Sequence, residues 1–252
     1  SHLLTVYASH DDALVHLRAH SAQQSLHLDL RFCGSVDAIR ALNEGRCTVA
    51  GFHAPLKPRP QSLVARTYKP LLQTGQHKLI GFALRQQGLL VAPGNPLALH
   101  QLADLQRPDV RLVNRSRGTG TRLLLDEWLE DNAIAPSSLR GYDHEESSHA
   151  SVAARIASGN ADVGLGIASA AQAQGLDFVP LANEAYWLVC HRSALETPAL
   201  QALRAVLQAS PWQHRLNQLA GYCTSQHSGQ VQSLKHTLPW WHFKSAGALA
   251  KG

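Results

Sequence analysis

Apolar residues fall along the chain in short runs separated by helix-like stretches, and the order of the runs carries the first inference. Residues 3–7 form a short apolar run, followed by the polar Ser9-His10-Asp11-Asp12 and a stretch with Leu14 and Leu17 on one helical face. Residues 26–32 alternate apolar and polar positions with the period of two of a half-buried strand. Gly34-Ser35 then opens a helix carrying Val36, Ile39 and Leu42, Gly45 stops it, and 47–52 read as a third strand. The order strand–helix–strand–helix–strand predicts a parallel sheet with helices on its faces, an α/β protein.

Residues 54–76 contain Pro55, Pro58, Pro60 and Pro70 and read as an irregular connection, long enough to suggest function or mobility. Two apolar tracts follow at 78–84 and 88–92. The pattern then restarts: a strand at 110–114, a glycine-threonine turn at 118–121, and a helix with Leu124, Leu125, Trp128 and Leu129. A strand at 139–142, a helix from about Ser148, a strand at 161–167, an Ala-rich helix and strands at 177–181 and 185–190 complete this half. The tail from Thr197 is helical, with Leu200, Leu203 and Leu207 on one stripe. Two α/β halves with a helical return imply two lobes, with the chain crossing between them near 80–84 and 188–192. Lobe one is then 1–80 with 191–252, lobe two is 81–190, and the ligand cleft lies between them.

Composition adds exclusions. The formal charge is +5, spread along the chain beside 15 histidines with no Lys/Arg-rich run, so the chain as given has no phosphate-backbone grip for DNA. No apolar run approaches the ~20 residues that span a bilayer, and no signal-peptide pattern opens the chain. Methionine is absent, from which the expectation is a processed product or an excised piece of a longer chain. Cys33, Cys47, Cys190 and Cys223 show no CxxC spacing and are expected as free thiols, which leans toward a reducing compartment.

In open α/β sheets ligands sit beyond the carboxyl ends of the strands, where the chain turns into a helix N-terminus. Four such turns carry hydroxyls, glycines or arginine: Ser9, Gly34-Ser35, Arg117-Gly118-Thr119-Gly120-Thr121, and Ser147-Ser148-His149. Each offers free backbone N–H groups and the positive end of a helix dipole to an anion. Taken singly, Ser9 or Ser35 reads first as a helix cap. The 115–122 segment exceeds what capping requires, since Arg115, Arg117 and Arg122 lie within eight residues and alternate with two glycines. Asp11, Asp12, Glu145 and Glu146 read first as helix-start residues that complement the dipole. If turned into the cleft, they would suit a ligand bearing both phosphate and amine donors.

Catalytic and metal patterns are not met. Gly118-Thr119-Gly120 lacks the lysine of a P-loop, and the histidines of His144-Glu145-Glu146-Ser147-Ser148-His149 are five apart where HExxH needs four. Gly164-Leu165-Gly166 has no acidic residue some 20 positions on and reads as tight packing. No nucleophile–base pair stands out, so no catalytic residue, metal site or bound cofactor is expected, and the chain is read as a non-enzyme.

Several stretches resemble the periplasmic-binding-protein-like domain of molybdate-responsive, ModE-type transcriptional regulators, also found appended to molybdopterin biosynthesis proteins. They are ASHDDAL (8–14), LHLDLRFCGSVDAIRALNEGRCTVAGFH (26–53), RQQGLLVAPGNP (85–96), DLQRPDVRLVNRSRGTGTRLLLD (104–126), GYDHEESSHASVAARIASGNADVGLGIASAAQAQGLDFVPLANEAYWLV (141–189) and LPWW (238–241). The resemblance implies a two-lobed type II fold, each lobe a mixed, mainly parallel sheet flanked by helices. It implies a cytoplasmic sensor whose DNA contact comes only through an N-terminal winged helix-turn-helix outside this chain, with a homodimer as the common state of such regulators and no membrane partner. The more distant molybdate- and tungstate-binding transport proteins share this fold and hold their oxyanion with hydroxyls and backbone N–H groups. By position the resemblance points to Ser9, Ser35, the Thr119-Gly120-Thr121 turn, Ser148-His149 at a helix start, and Tyr186. The ligand it implies is molybdate, tungstate, or the molybdenum cofactor or a precursor. Two other roles stay open: a mature periplasmic solute receptor of a molybdate or tungstate transporter, and a pterin-cofactor-binding domain attached to a molybdopterin biosynthesis enzyme.

Overall fold

The computed structural model describes residues 1–241 of the chain. Strands β1 (His2–Ala8), β2 (Leu26–Phe32) and β3 (Val49–Pro55) alternate with helices α1 (Asp12–Ala22) and α2 (Ser35–Asn43). β1 pairs in parallel with both β2 and β3, as the strand–helix order requires. α1 begins where the Asp11 carboxylate accepts the Leu14 N–H. α2 buries Ala38, Ile39, Ala41 and Leu42 along one stripe against the sheet.

The Pro-rich connection is not irregular throughout. Ser62 caps a short helix, α3 (Leu63–Tyr68), whose Val64, Ala65 and Tyr68 are buried against Phe52 and its neighbours. The chain then enters β4 (His77–Val91), β5 (Leu112–Arg115), α4 (Gly120–Asp131), β6 (Glu145–Glu146), α5 (His149–Ala157), β7 (Val163–Ile167), α6 (Ala168–Ala173) and β8 (Asp177–His191). After β8 come α7 (Pro198–Gln208), α8 (Ser210–Asn217), β9 (Tyr222–Cys223), β10 (Val231–Ser233) and α9 (Leu234–Thr237).

Two corrections to the pattern concern strands. The tracts at 78–84 and 88–92 are one strand, β4, and those at 177–181 and 185–190 are one strand, β8. The two run antiparallel along their whole length, so the backbone ladder carries them through polar residues that interrupt the apolar pattern. Residues 139–142, expected as a strand, form a turn. Gly141 has φ +95°, and a Cβ there would lie 2.0 Å from the Leu112 carbonyl oxygen, so the chain bends where the apolar count suggested extension. Leu139 is a buried anchor of that turn, and β5 pairs in parallel with β7 on one side and with the two-residue β6 on the other.

The strands form a curled mixed sheet in the order β2-β1-β3-β8-β4-β7-β5-β6, with β9 and β10 also on β4. β3 pairs with the C-terminal end of β8, from Ala50 opposite Val189 to Pro55 opposite Glu184. β7 pairs with the C-terminal end of β4, from Gln87 opposite Ile167 to Val91 opposite Val163. The long pair thus joins two groups of strands, and its middle lies where one group gives way to the other. α7 and α8 return to the first group, burying Leu200, Leu203, Leu207, Trp212 and Leu216 in the core that holds Leu4, Val6 and Leu14. Residues 242–252, which the sequence reading assigns to lobe one, lie outside the described residues. All four cysteines are free. No helix of the described residues is long and apolar enough to cross a membrane.

Candidate functional site

The polar middle of the long strand pair is buried, and it organises the site. Arg85 and Glu184 are register partners, so their side chains share a face of the sheet, with Gln87 two positions along β4 and Tyr186 two along β8. Arg85 Nε donates to Glu184 Oε1 at 2.5 Å, and its Nη1 donates to Asp11 Oδ2 at 2.5 Å. Gln87 Nε2 bridges Glu184 Oε1 and Thr121 Oγ1, each at 3.0 Å. His53 Nδ1 lies 3.3 Å from Glu184 Oε2, and the Tyr222 hydroxyl donates to Asp11 Oδ2 at 2.7 Å. The Arg85 guanidinium sits 5.1 Å over the Tyr186 ring.

Burial and charge act against each other here. Burial would pull the Arg85 proton off more easily, but Glu184 and Asp11 beside it outweigh that and raise it well above its ordinary value. Burial would likewise raise the Glu184 carboxyl, yet His53 and Arg85 hold it well below the usual carboxylate range. Burial keeps His53 below the ordinary imidazole value, so it serves Glu184 as a neutral N–H donor. Arg85, Glu184 and Asp11 thereby satisfy one another and set the floor of the site.

The second group of strands contributes a cation with no such partner. Arg115, the last residue of β5, is 1% exposed. Its Nη2 lies 3.4 Å from the Ser147 carbonyl oxygen, while Nε and Nη1 have no hydrogen-bond partner among the described residues. No carboxylate pairs with it among the described residues. Burial, with repulsion from Arg85, brings it down to about 10. His149, first residue of α5, is buried with Nδ1 unpartnered. Burial, then Arg115 and Arg85, push it well below the usual imidazole range. Arg85 Nη2, the Tyr186 hydroxyl, His10 Nδ1 and Gln87 Oε1 are also buried and unpartnered. Buried polar groups ordinarily find hydrogen-bond partners, so this concentration of unmet polar atoms, most of them nitrogens, beside an unpaired guanidinium marks the candidate site.

The two groups of strands meet around this cluster. The Val36 N–H of α2 points at the Gly118 carbonyl oxygen at 3.4 Å, and Ser169 donates to Asp12 at 2.6 Å. Gly120 lies under His53, where a Cβ would come within 1.8 Å of the ring, so only glycine admits this approach. At the edge, Arg59 pairs with Asp131 and Arg66 with Glu130.

The residues singled out in the sequence separate into two sets. Ser9 and Ser35 are buried and face each other at 3.1 Å, and Thr121, Gly120, Arg115, His149 and Tyr186 belong to the buried cluster or touch it. Thr119 caps α4, accepting the Arg122 N–H at 3.3 Å. Ser148 caps α5, its hydroxyl accepting the Ser151 N–H at 3.0 Å. The three arginines of the 115–122 turn do not converge as their spacing suggested. The Arg117 side chain is 78% exposed, with Glu145 3.7 Å away. Arg122 is buried but committed to Glu145 at 2.8 Å, Asp126 at 3.3 Å and the Arg115 carbonyl oxygen at 3.0 Å. The split follows from the elements that carry them: Arg115 ends β5, Arg117 lies in the turn, and Arg122 sits in the first turn of α4. Sequence reasoning missed His53, Arg85, Gln87, Glu184 and Tyr222, and it read Asp11 first as a helix-start residue, with a place in the cleft as the second reading. The available signal was the charge inside otherwise apolar strand tracts, which was read as the end of a strand. Among the described residues no group of three His, Cys, Asp or Glu side chains is placed to hold a metal ion.

A family model described as a PBP superfamily domain matches residues 17–208. The uncharacterized protein YvgK of Bacillus subtilis (strain 168) is 32% identical over 195 residues, 77% of this chain and 62% of its own length, so the chain spans under two thirds of that relative. A putative phosphate ABC transporter substrate-binding protein from Clostridium perfringens, solved with bound phosphate, gives a TM-score of 0.63 at 12% identity, over 89% of this chain and 100% of that one. The sulfate-binding protein SubI from Mycobacterium tuberculosis gives 0.62 at 14% identity, over 90% and 88%. At such identities the likeness to the solved structures is one of fold. The family model, covering well over half of the sequence, goes further: the chain belongs to the PBP superfamily.

Proposed function

We propose that this is a non-enzymatic sensor domain that closes on a small tetrahedral oxyanion, molybdate or tungstate in type, and passes the closure to an attached DNA-binding module. The observation that carries the reading is Arg115, a buried guanidinium whose Nε and Nη1 are unmet and which has no acid partner among the described residues. An unpaired buried charge costs several kcal/mol, roughly, and a bound oxyanion would offset it. The planar fork suits such a ligand, and His149 at the N-terminus of α5 adds a polar edge where the helix dipole favours negative charge. The lobes proposed are 1–80 with 191–252, and 81–190. The partners of β4 and β8 support such a division and suggest that the change of side falls at Arg85 and Glu184. Closure is favoured by whatever contacts the ligand makes with both sides at once.

Binding rather than catalysis is supported by the family and by neighbours in fold that include a phosphate-binding and a sulfate-binding protein. The regulator role, the cytoplasmic location and a homodimer rest on the resemblance to molybdate-responsive regulators. A signal peptide encoded upstream would overturn that role in favour of a periplasmic receptor and leave the site intact. A second ligand reading is the molybdenum cofactor or a precursor, which brings donors as well as an oxyanion. It is favoured by Gln87 Oε1, an unpartnered buried acceptor that a bare oxyanion would not satisfy.

Calorimetry with molybdate, tungstate, sulfate, phosphate and a pterin phosphate tests the proposal. Expected is tight binding of one tetrahedral oxyanion, lost about a hundredfold or more in Arg115→Ala, since hydrogen bonds to charged groups contribute about 1.5–3 kcal/mol each. Equal affinities in the variant for every member of the panel would overturn it. Preference for the pterin phosphate would select the second reading.

A further inference from the structure

The long strand pair has a rear face. Leu84 and Ala185 are register partners next to Arg85 and Glu184, and neighbours along a strand point to opposite sides, so these two turn away from the charged cluster. Behind them is a cavity of about 490 Å³, of the size that small-molecule sites have. Its walls come from Leu56 in the Pro-rich connection, from Trp187 on β8, and from Gln232, His236 and Thr237 in the tail. A second opening of about 430 Å³ shares Leu56 and Leu84 with it.

The chemistry of this cavity is unlike that of the cleft. Among the described residues its lining holds no carboxylate, ammonium or guanidinium, and its polar groups are amides, imidazoles and hydroxyls. The side chains of Gln232 and His236 make no hydrogen bond among the described residues. His227 Nδ1 and Thr237 Oγ1 are buried without partners among the described residues. Trp187, 6% exposed, is stacked with the His227 ring at 6.1 Å and 29°, which makes one wall flat and aromatic. At the rim Leu56 leaves half of its surface to solvent, an apolar side chain that an occupant would cover. A carboxamide presents a donor and an acceptor side by side, which matches the edge of a heterocycle, and a flat aromatic wall matches its face.

We propose that this rear cavity binds an uncharged planar heterocycle of nucleoside size, as a second effector site separate from the oxyanion cleft. Both sites hold the same two strands. A heterocycle that prefers one arrangement of those strands therefore changes oxyanion affinity, and the oxyanion changes heterocycle affinity by the same factor.

Adenosine is the probe, titrated into the full chain without oxyanion and followed by saturation-transfer NMR and calorimetry. Expected is saturable binding, weakened about tenfold or more by Gln232→Ala and by Leu56→Glu, the latter at a half-exposed position whose replacement leaves the fold intact. Arg115→Met should bind adenosine within about twofold of the parent chain, so failure of the oxyanion reading and failure of this one are separable. Absence of saturable adenosine binding, or equal binding by both rear variants and the parent, would overturn the proposal.

Discussion

The two ends of the 115–122 turn each hold a buried arginine, and they do opposite things. Arg122 is 2% exposed and spends its guanidinium on Glu145, Asp126, the Arg115 carbonyl oxygen and the Tyr142 ring, 4.4 Å below it. Arg115 is buried as deeply and has one long contact to a carbonyl oxygen. The first is a strut: its charge is neutralised where it stands, and it ties β5 and β6 to α4. The second is poised, because its charge is desolvated and left for something else to neutralise. Burial alone does not separate a structural arginine from a binding one. The count of carboxylates within reach does.

The sharpest way to break this contrast is Arg115→Met. Affinity for the oxyanion should fall about a hundredfold or more, while the melting temperature of the free protein stays level or rises, because an apolar side chain of similar volume replaces an unpaired buried charge. Calorimetry and a thermal melt report both, and a lower melting temperature with affinity unchanged would reverse the roles assigned to the two arginines. Arg122→Ala is the mirror experiment. It should cost about 2–3 kcal/mol in urea unfolding, below the full penalty for a broken buried pair because Glu145 and Asp126 are 35% and 26% exposed. Its oxyanion affinity should stay within about threefold under conditions where it is folded.

A smaller effect separates the two ends by pH. His149, His53 and His77 are all held below the usual imidazole value by burial, His77 down to about 4. Their folded values lie under the unfolded value of about 6.5, so the unfolded chain binds more protons between the two. Stability of the free protein is therefore full above about pH 6.5 and falls as pH drops through that window. Glu184, depressed in the same sense, adds to the loss below about pH 4.3. Urea midpoints from pH 8 to 5 should show the decline in the parent chain and in Arg122→Ala. They should show a shallower one in His149→Gln, whose side chain cannot titrate. The smallest effect belongs to Arg117→Ala: with the side chain 78% exposed, stability should move by under about 0.5 kcal/mol and affinity by under about twofold.

Much of the chain was legible from pattern alone. β2 matches its predicted span, and the helices carrying Leu14, Ile39, Leu125, Val152 and Leu203 lie where the periodicity put them. The splitting of β4 and β8 into two tracts each has one cause. Arg85-Gln86-Gln87 and Ala182-Asn183-Glu184 interrupt apolar runs, and an interruption usually ends a strand. Here each polar stretch is the other's ladder partner, so both strands continue, and the interruption is the floor of the candidate site. Arg117 was overvalued for the converse reason: charge density along a sequence does not say which way each side chain turns.

Local order by itself determined the alternation of elements and the helix start at Asp11, because these depend on residues a few positions apart; Ser9 and Ser35, read first as caps, bond to each other instead. Tertiary structure alone decided which charges are satisfied. Arg85 is 74 positions from Asp11 and 99 from Glu184, so their mutual neutralisation is set by how the sheet brings distant strands together. The isolation of Arg115 is set the same way, since a charge is unpaired only relative to every group that folding could have placed beside it.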